Sequence, residues 1–196
     1  MRIRESHLEP DRFYHIFNRG INSKLTFLNN ENFNFFLRKT KVYILPYFDI
    51  YAYCLMPNHF HFILKVKSDI ELPEDFKKTG LHSEACFFSK AISKLISSYT
   101  QSFNKVYQRS GPVFESPFKR IPINSEEYLR NLIIYIHQNP DNFHQYKFSS
   151  YLAMISDSKT NIQREKVIEL FDDPINFVEC HQNKDLNINF VKDLEL

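Results

Sequence analysis

The chain of 196 residues predicts an α+β fold. The expected form is a ferredoxin-like antiparallel sheet with helices on one face, followed by a further helix that carries Tyr135 and a short C-terminal tail. Three observations lead there. Runs with strand and helix character alternate as strand, helix, strand, strand, helix, strand, helix. The second and third strand runs are joined only by Met56-Pro57-Asn58, a connection short enough to force an antiparallel hairpin. The helical runs carry apolar residues at the three-to-four spacing of a one-sided helix.

Taken in order, 12–19 (RFYHIFNR) is rich in aromatics and reads as a strand that ends at Gly20. Asn29 or Asn30 caps a helix from Glu31 to about Leu45, stopped by Pro46. Residues 48–55 (FDIYAYCL) form the second strand and 59–67 (HFHFILKVK) the third. Ser68 to Ala85 is polar and irregular, with Pro73 and Gly80, and is expected to be an exposed loop. Phe88, Ile92, Leu95, Ile96, Tyr99 and Phe103 make one side of a helix over 87–107, broken by Gly111-Pro112. Val113 to Ile123 reads as a fourth strand, with Pro117 restricting it to an edge or a bulge. Ser125 caps the next helix, which has Glu126 and Glu127 in its first turn and stops near Gln138, before Pro140. A shorter helix is expected near 163–171. The organisation predicted is one domain over 1–155 and a tail over 156–196.

Hydrophobic residues make up 43% of the chain, enough to bury a core, and twenty Phe and eleven Tyr equip it for tight packing or for stacking on bases. The net charge of +2 says little, but its distribution is uneven. Between Cys86 and Ile123, Lys90, Lys94, Lys105, Arg109, Lys119 and Arg120 face a single acid, Glu115. From Val167 onward, seven acids face Lys184 and Lys192. A basic middle and an acidic end suit a nucleic-acid groove in the first part and none in the second; two solvated faces would show the same pattern. Three scattered cysteines without a C-x-x-C pair exclude a disulfide or zinc framework and point to a reducing compartment. A polar N-terminus and the lack of a long apolar run complete the expectation of a cytoplasmic protein with no membrane partner.

His59 and His61 stand two apart on a strand, so their imidazoles share a face while Phe60 and Phe62 point to the other. Two adjacent imidazoles can bind one divalent metal, though ordinary sheet histidines have the same spacing. Tyr135 and Asn139 are one helical turn apart on a common face, and His137 between them is rotated by roughly 200° from Tyr135 and faces away. Asn139 is either a third, oxygen ligand or simply the last residue of a helix before Pro140. Tyr128 lies two turns earlier on the same face, but the residue one turn beyond it is Leu132, which cannot bind metal.

These residues resemble a known family. Met56-Pro57-Asn58-His59-Phe60-His61 is similar to the histidine–hydrophobe–histidine motif of tyrosine transposases of the insertion-sequence-200 type. Tyr135 to Pro140 (YIHQNP) looks like the tyrosine helix of the branch called REP-associated tyrosine transposases. Tyr14 to Gly20 (YHIFNRG), Gly111 to Arg120 (GPVFESPFKR) and Tyr146 to Tyr151 (YKFSSY) agree in the same order, so the resemblance covers roughly 10–155. Two departures are the short, glycine-free Asp141-Asn142-Phe143-His144 after Asn-Pro and the segment 68–85; both bear on DNA preference.

The resemblance implies an enzyme that cuts and rejoins single-stranded, hairpin-forming DNA. Tyr135 would attack a phosphodiester to leave a 5′-phosphotyrosine and a free 3′-OH. His59, His61 and Asn139 would hold Mg²⁺ or Mn²⁺. Arg19, Lys119 and Arg120, with Lys90 and Lys94, are candidates for DNA phosphates. His15 is expected to be structural or to support the ligands. The wider type acts as dimers that share active sites and the REP-associated branch as monomers, so monomer and homodimer both stay open. The alternatives are a non-catalytic protein that binds DNA hairpins and a metal-dependent hydrolase that does not use the tyrosine.

Overall fold

The computed structural model describes residues 7–70 and 84–182. Strands β1 (Phe13–Arg19), β2 (Phe48–Met56), β3 (His59–Val66) and β4 (Lys119–Ile123) form one sheet in the order β2-β3-β1-β4. Every neighbouring pair is antiparallel. Helices α1 (Asn30–Tyr43) and α2 (Glu84–Val106) complete the expected split βαβ unit. After β4 come α3 (Glu126–Gln138) and the short helices α4 (Tyr151–Met154), α5 (Arg164–Glu169) and α6 (Pro174–Gln182).

Strand alternation sorts the core into two layers. Tyr14, Ile16, Phe60, Phe62 and Leu64 point to one face, where they meet Phe33 and Phe36 of α1 and Phe88, Ile92, Leu95 and Tyr99 of α2. Cys54, Ile63 and Ile123 point to the other face and pack with Leu132, Ile133 and Ile136 of α3. Val167, Phe171 and Phe177, on and beside α5 and α6, belong to that second cluster, so residues 156–182 share the core of α3.

The local elements follow from sequence chemistry. The Asn29 side chain accepts from Asn32 N at 3.1 Å and starts α1, and Ser125 does the same for α3 through Tyr128 N at 3.2 Å. The two-residue turn Pro57-Asn58 between β2 and β3 is held from outside by backbone donors. Gly20 N donates to Asn58 O at 2.7 Å, and Thr26 N and Phe27 N donate to Pro57 O at 2.8 and 2.9 Å. Gly20 is required by the tight fold of the segment that follows it: a Cβ there would lie 2.1 Å from Lys24 O and 2.8 Å from the Thr26 methyl.

The fourth strand is shorter than expected. Regular pairing begins at Lys119, and Val113 to Phe118 is irregular apart from a bridge between Phe114 and Gly20. Pro117 has no N–H to give a ladder, which keeps that stretch out of the sheet. The second helix begins at Glu84, three residues before its expected start. Most of the loop expected over 68–85 and the last residues of the tail, 183–196, lie outside the described residues. Helix α6, with its buried Phe177 and His181, was not anticipated.

The outer edge of β2 is covered. Leu55 N donates to Phe148 O and Ser150 N to Tyr53 O, both at 2.9 Å, and Gln163 N donates to Ile50 O at 2.9 Å. The Tyr146–Tyr151 motif is therefore an edge strip on β2, anchored further by Tyr146 Oη to Leu55 O at 2.6 Å and by Phe148 stacked on Phe33.

Gly20→Ala is expected to destabilise the protein by roughly 1–3 kcal/mol, through overpacking against Lys24 and Thr26. Urea unfolding at pH 7.5 measures it, and a midpoint equal to wild type would contradict the close packing of Gly20 against Lys24.

Candidate active site

Sheet register builds the site row by row on the α3 face. One row across the sheet is Cys54, His61, Phe17 and Lys119; the next is Met56, His59 and Arg19. The histidines therefore lie where the β2–β3 hairpin turns, flanked by a cation in each row. Helix α3 crosses above them. Its inner stripe of Leu129, Leu132, Ile133 and Ile136 is buried, and this packing fixes the rotation of the helix. Tyr135 and Asn139 consequently hang over the histidines. The Tyr135 ring stands edge-on to His61, 6.0 Å between centroids, and Asn139 Oδ1 is 2.9 Å from His59 Nε2. The structure brings His59, His61, Tyr135 and Asn139 together on one face of the sheet.

The donor set fits a divalent ion. Asn58 Oδ1 lies 2.7 Å from His59 Nδ1 and Asn139 Oδ1 lies 2.9 Å from Nε2, so a neutral ring can donate to only one of the two oxygens, and a proton on Nδ1 would leave the Nε2 lone pair for a ligand. An amide oxygen and an imidazole nitrogen 2.9 Å apart have the spacing of two adjacent corners of an octahedron with bonds of about 2.1 Å. The amide turned by 180° would instead donate to Nε2 and satisfy the pair without an ion. His61 Nδ1 is 2.9 Å from His15 Nε2, so Nε2 is the ring nitrogen of His61 left for a ligand. Among the described residues no group of three or more His, Cys, Asp or Glu could hold a metal ion, so any ion here would rest on two imidazoles, one amide and oxygens from elsewhere.

Electrostatics keep the imidazoles neutral. Burial holds His59 below its ordinary value, opposed in part by the Asn139 oxygen, which accepts from the protonated ring. Burial, then repulsion from His15 and His59, holds His61 well below it. Burial alone takes His15 to about 3. Neutral imidazole is the form that coordinates metal, so protons do not compete for the pair near neutral pH.

The cations divide. Arg19 shares the row of His59 and is paired with Glu115 at 2.6 Å. Lys119 shares the row of His61, with its ammonium 5.7 Å from the Phe17 ring centroid. Arg120 points the other way, toward Ser89 of α2. Lys90 and Lys94 are also on α2, across the sheet from the histidines. The structure thus gathers Arg19 and Lys119 at the site and does not bring Arg120, Lys90 and Lys94 to it.

A second buried set lies behind α3. Tyr53 N donates to Ser150 Oγ at 2.8 Å, and Ser150 Oγ lies 2.6 Å from His137 Nε2. His137 Nδ1 is 2.9 Å from His181 Nε2, and His181 Nδ1 is 2.6 Å from Phe177 O. One proton direction satisfies the whole chain: Tyr53 N–H to Ser150, Ser150 O–H to His137, His137 N–H to His181, His181 N–H to the Phe177 carbonyl. His137 faces away from Tyr135 as its helical angle requires. Sequence reasoning missed this network, and it allowed His15 a supporting role without identifying His61 as its partner. The sole hint of that pairing was that His15 and His61 both occupy positions of their strands that face α3.

No family model and no curated protein matches the chain. Among solved structures, it is similar to a REP-associated tyrosine transposase bound to a REP hairpin, with 14% identity over 80% of this chain and 87% of the other, and a TM-score of 0.56. The likeness is one of fold: the four-stranded antiparallel sheet and its helices are shared. A bacterial tRNA(His) guanylyltransferase-like protein in complex with GTP overlaps at 10% identity over 87% of this chain and 72% of the other, with a TM-score of 0.42. Among the described residues no helix is long and apolar enough to cross a membrane.

Stability is expected to fall with acid below the unfolded-state histidine value of about 6.5. His15, His61, His137 and His181 are buried and neutral in the native state, with His15 held to about 3 and His181 to about 4. As pH drops below 6.5 the unfolded chain takes up protons that the native chain refuses, so each group removes up to about 1.4 kcal/mol per pH unit until its native value is reached. Thermal unfolding should be flat from pH 8 to 7 and drop steeply between 6.5 and 4. A midpoint unchanged at pH 5 would contradict the neutral burial of these groups.

Proposed function

We propose that the protein is an enzyme that cleaves and rejoins single-stranded DNA through a covalent 5′-phosphotyrosine on Tyr135, acting at hairpin-forming sequences. The observation that carries this reading is the convergence on one sheet face of His59 Nε2 and Asn139 Oδ1, 2.9 Å apart, with the Tyr135 phenol one helical turn from Asn139 and beside His61. A metal-dependent hydrolase would need the first part and not the second.

The chemistry divides among named groups. A phenol with an ordinary pKa of about 10 is neutral at pH 7 and must lose its proton as it attacks. Its oxygen forms the new bond to phosphorus, the bond from phosphorus to the 3′ oxygen breaks, and the departing oxygen takes up a proton to become a 3′-OH. One phosphodiester replaces another, so a 3′-OH can reverse the step and join strands without a nucleotide cofactor. Mg²⁺ or Mn²⁺ held by His59, His61 and Asn139 would neutralise and orient the scissile phosphate. Arg19 and Lys119, in the rows of the two histidines, are suited to adjoining phosphates. The placement of all four central residues on one chain supports reading the site as complete within a single copy. The hairpin bound by the structurally similar transposase supports a hairpin-bearing strand as the substrate.

The test uses hairpin-bearing single-stranded DNA labelled at its 3′ end, with Mn²⁺, and a denaturing gel. Wild type should form a protein–DNA adduct, Tyr135→Phe none, and Tyr128→Phe a normal amount. His59→Ala should lower adduct formation by roughly a hundredfold or more. Cleavage that persists in Tyr135→Phe without an adduct would assign the hydrolase instead, and hairpin binding without cleavage in wild type would assign a recognition protein.

A further inference from the structure

His15 is fully buried on β1, between the sheet and α3, and it sits in an unusual polar position. Its Nε2 is 2.9 Å from His61 Nδ1. The two rings lie within 18° of parallel, and both are near-parallel to Phe17, which stacks on His15 at 4.5 Å and on His61 at 5.7 Å. The other nitrogen of His15, Nδ1, is buried and has no hydrogen-bond partner among the described residues. An unsatisfied buried polar atom costs about 1–3 kcal/mol, and an apolar side chain would fill the same place without that cost.

We infer that His15 is a positioning residue whose Nε2 accepts the Nδ1 proton of His61 and so presents the Nε2 lone pair of His61 to a divalent cation. This rests on the metal site proposed above. The hydrogen bond has two possible directions, and they have opposite consequences. If His15 donates, His61 Nδ1 is the acceptor, the His61 proton sits on Nε2, and that nitrogen has no lone pair for a ligand. If His61 donates, its Nε2 is free to coordinate, and the His15 proton sits on the buried, partnerless Nδ1. His15 Nδ1 goes unpartnered in either direction, as a lone pair if His15 donates and as an N–H if it accepts, so a buried histidine here costs stability both ways and only the second direction prepares His61. Asn58 Oδ1, 2.7 Å from His59 Nδ1, would prepare His59 in the parallel way by accepting the Nδ1 proton. Each proposed imidazole ligand thus has its own second partner that selects the tautomer and the ring plane, which is the general arrangement around metal-binding histidines. The Phe17 stack keeps the His15 and His61 rings near-coplanar, as an in-plane N–H···N bond requires.

The test compares wild type, His15→Leu and His15→Gln for Mn²⁺ binding by electron paramagnetic resonance, with urea unfolding of each metal-free protein. Leu removes the acceptor; Gln returns an oxygen near the position of Nε2. Leu should weaken Mn²⁺ binding by about 10–100-fold while its unfolding midpoint stays at or above that of wild type, and Gln should restore most of the affinity. Binding by the Leu variant within twofold of wild type, with Mn²⁺ bound normally by wild type, would overturn the role of His15 and leave the metal site standing. Wild type that binds no Mn²⁺ would overturn both. If the Leu variant does not fold, long-range ¹H–¹⁵N spectra of wild type with Mg²⁺ decide: a proton on His61 Nδ1 supports the inference and one on Nε2 overturns it.

Discussion

The docking of α3 across the sheet is the contact on which the site depends. A helix turns by about 100° per residue, so a small rotation of α3 about its axis would carry Tyr135 and Asn139 off the histidines together. Two constraints prevent it. On the sheet side, Leu132, Ile133 and Ile136 are buried against Cys54 and Ile63. On the far side, His137 is held at both ring nitrogens, by Ser150 and by His181. Packing sets the distance of the helix from the sheet, and the directional hydrogen bonds at His137 set its angle. Residues of α6 thereby reach the site without touching it.

Much of this was legible in the amino-acid order because it rests on periodicity. The two-residue repeat separates His59 and His61 from Phe60 and Phe62, and the helical repeat pairs Tyr135 with Asn139 and turns His137 away. Caps at Asn29 and Ser125 use local chemistry and were equally readable. What the order concealed is tertiary. Nothing in the spacing says that His15 reaches diagonally across β1 and β3 to His61, or that His181, forty-four residues away, completes the chain behind His137. Arg120 and Lys119 are sequence neighbours, and a count of charge treats them alike; the pleat sends one to α2 and the other to the histidine face. The shortened β4 has a different cause, since Pro117 removes a donor that a propensity for strand does not register.

The two layers also differ in character. The α1–α2 layer is almost wholly aromatic and aliphatic, with Phe27, Phe33, Phe36, Phe60, Tyr99 and Phe114 in mutual ring contact. The α3 layer mixes apolar packing with buried histidines that bond in pairs, His15 with His61 and His137 with His181. The first layer has no chemistry to perform and carries stability. The second accepts polar groups at a cost that grows in acid, and it holds every residue of the proposed reaction.

The strip of 148–150 and the bonds from 162–163 along β2 have a consequence for how the molecule meets its own kind. An open strand edge is a template on which another chain can add. Here the β2 edge is already occupied by the chain itself, and the opposite edge strand, β4, carries Pro122 and two cations in five residues. Molecules crowded side by side would find no vacant ladder on β2 and a poor one on β4, so local concentration does not translate into sheet-to-sheet growth.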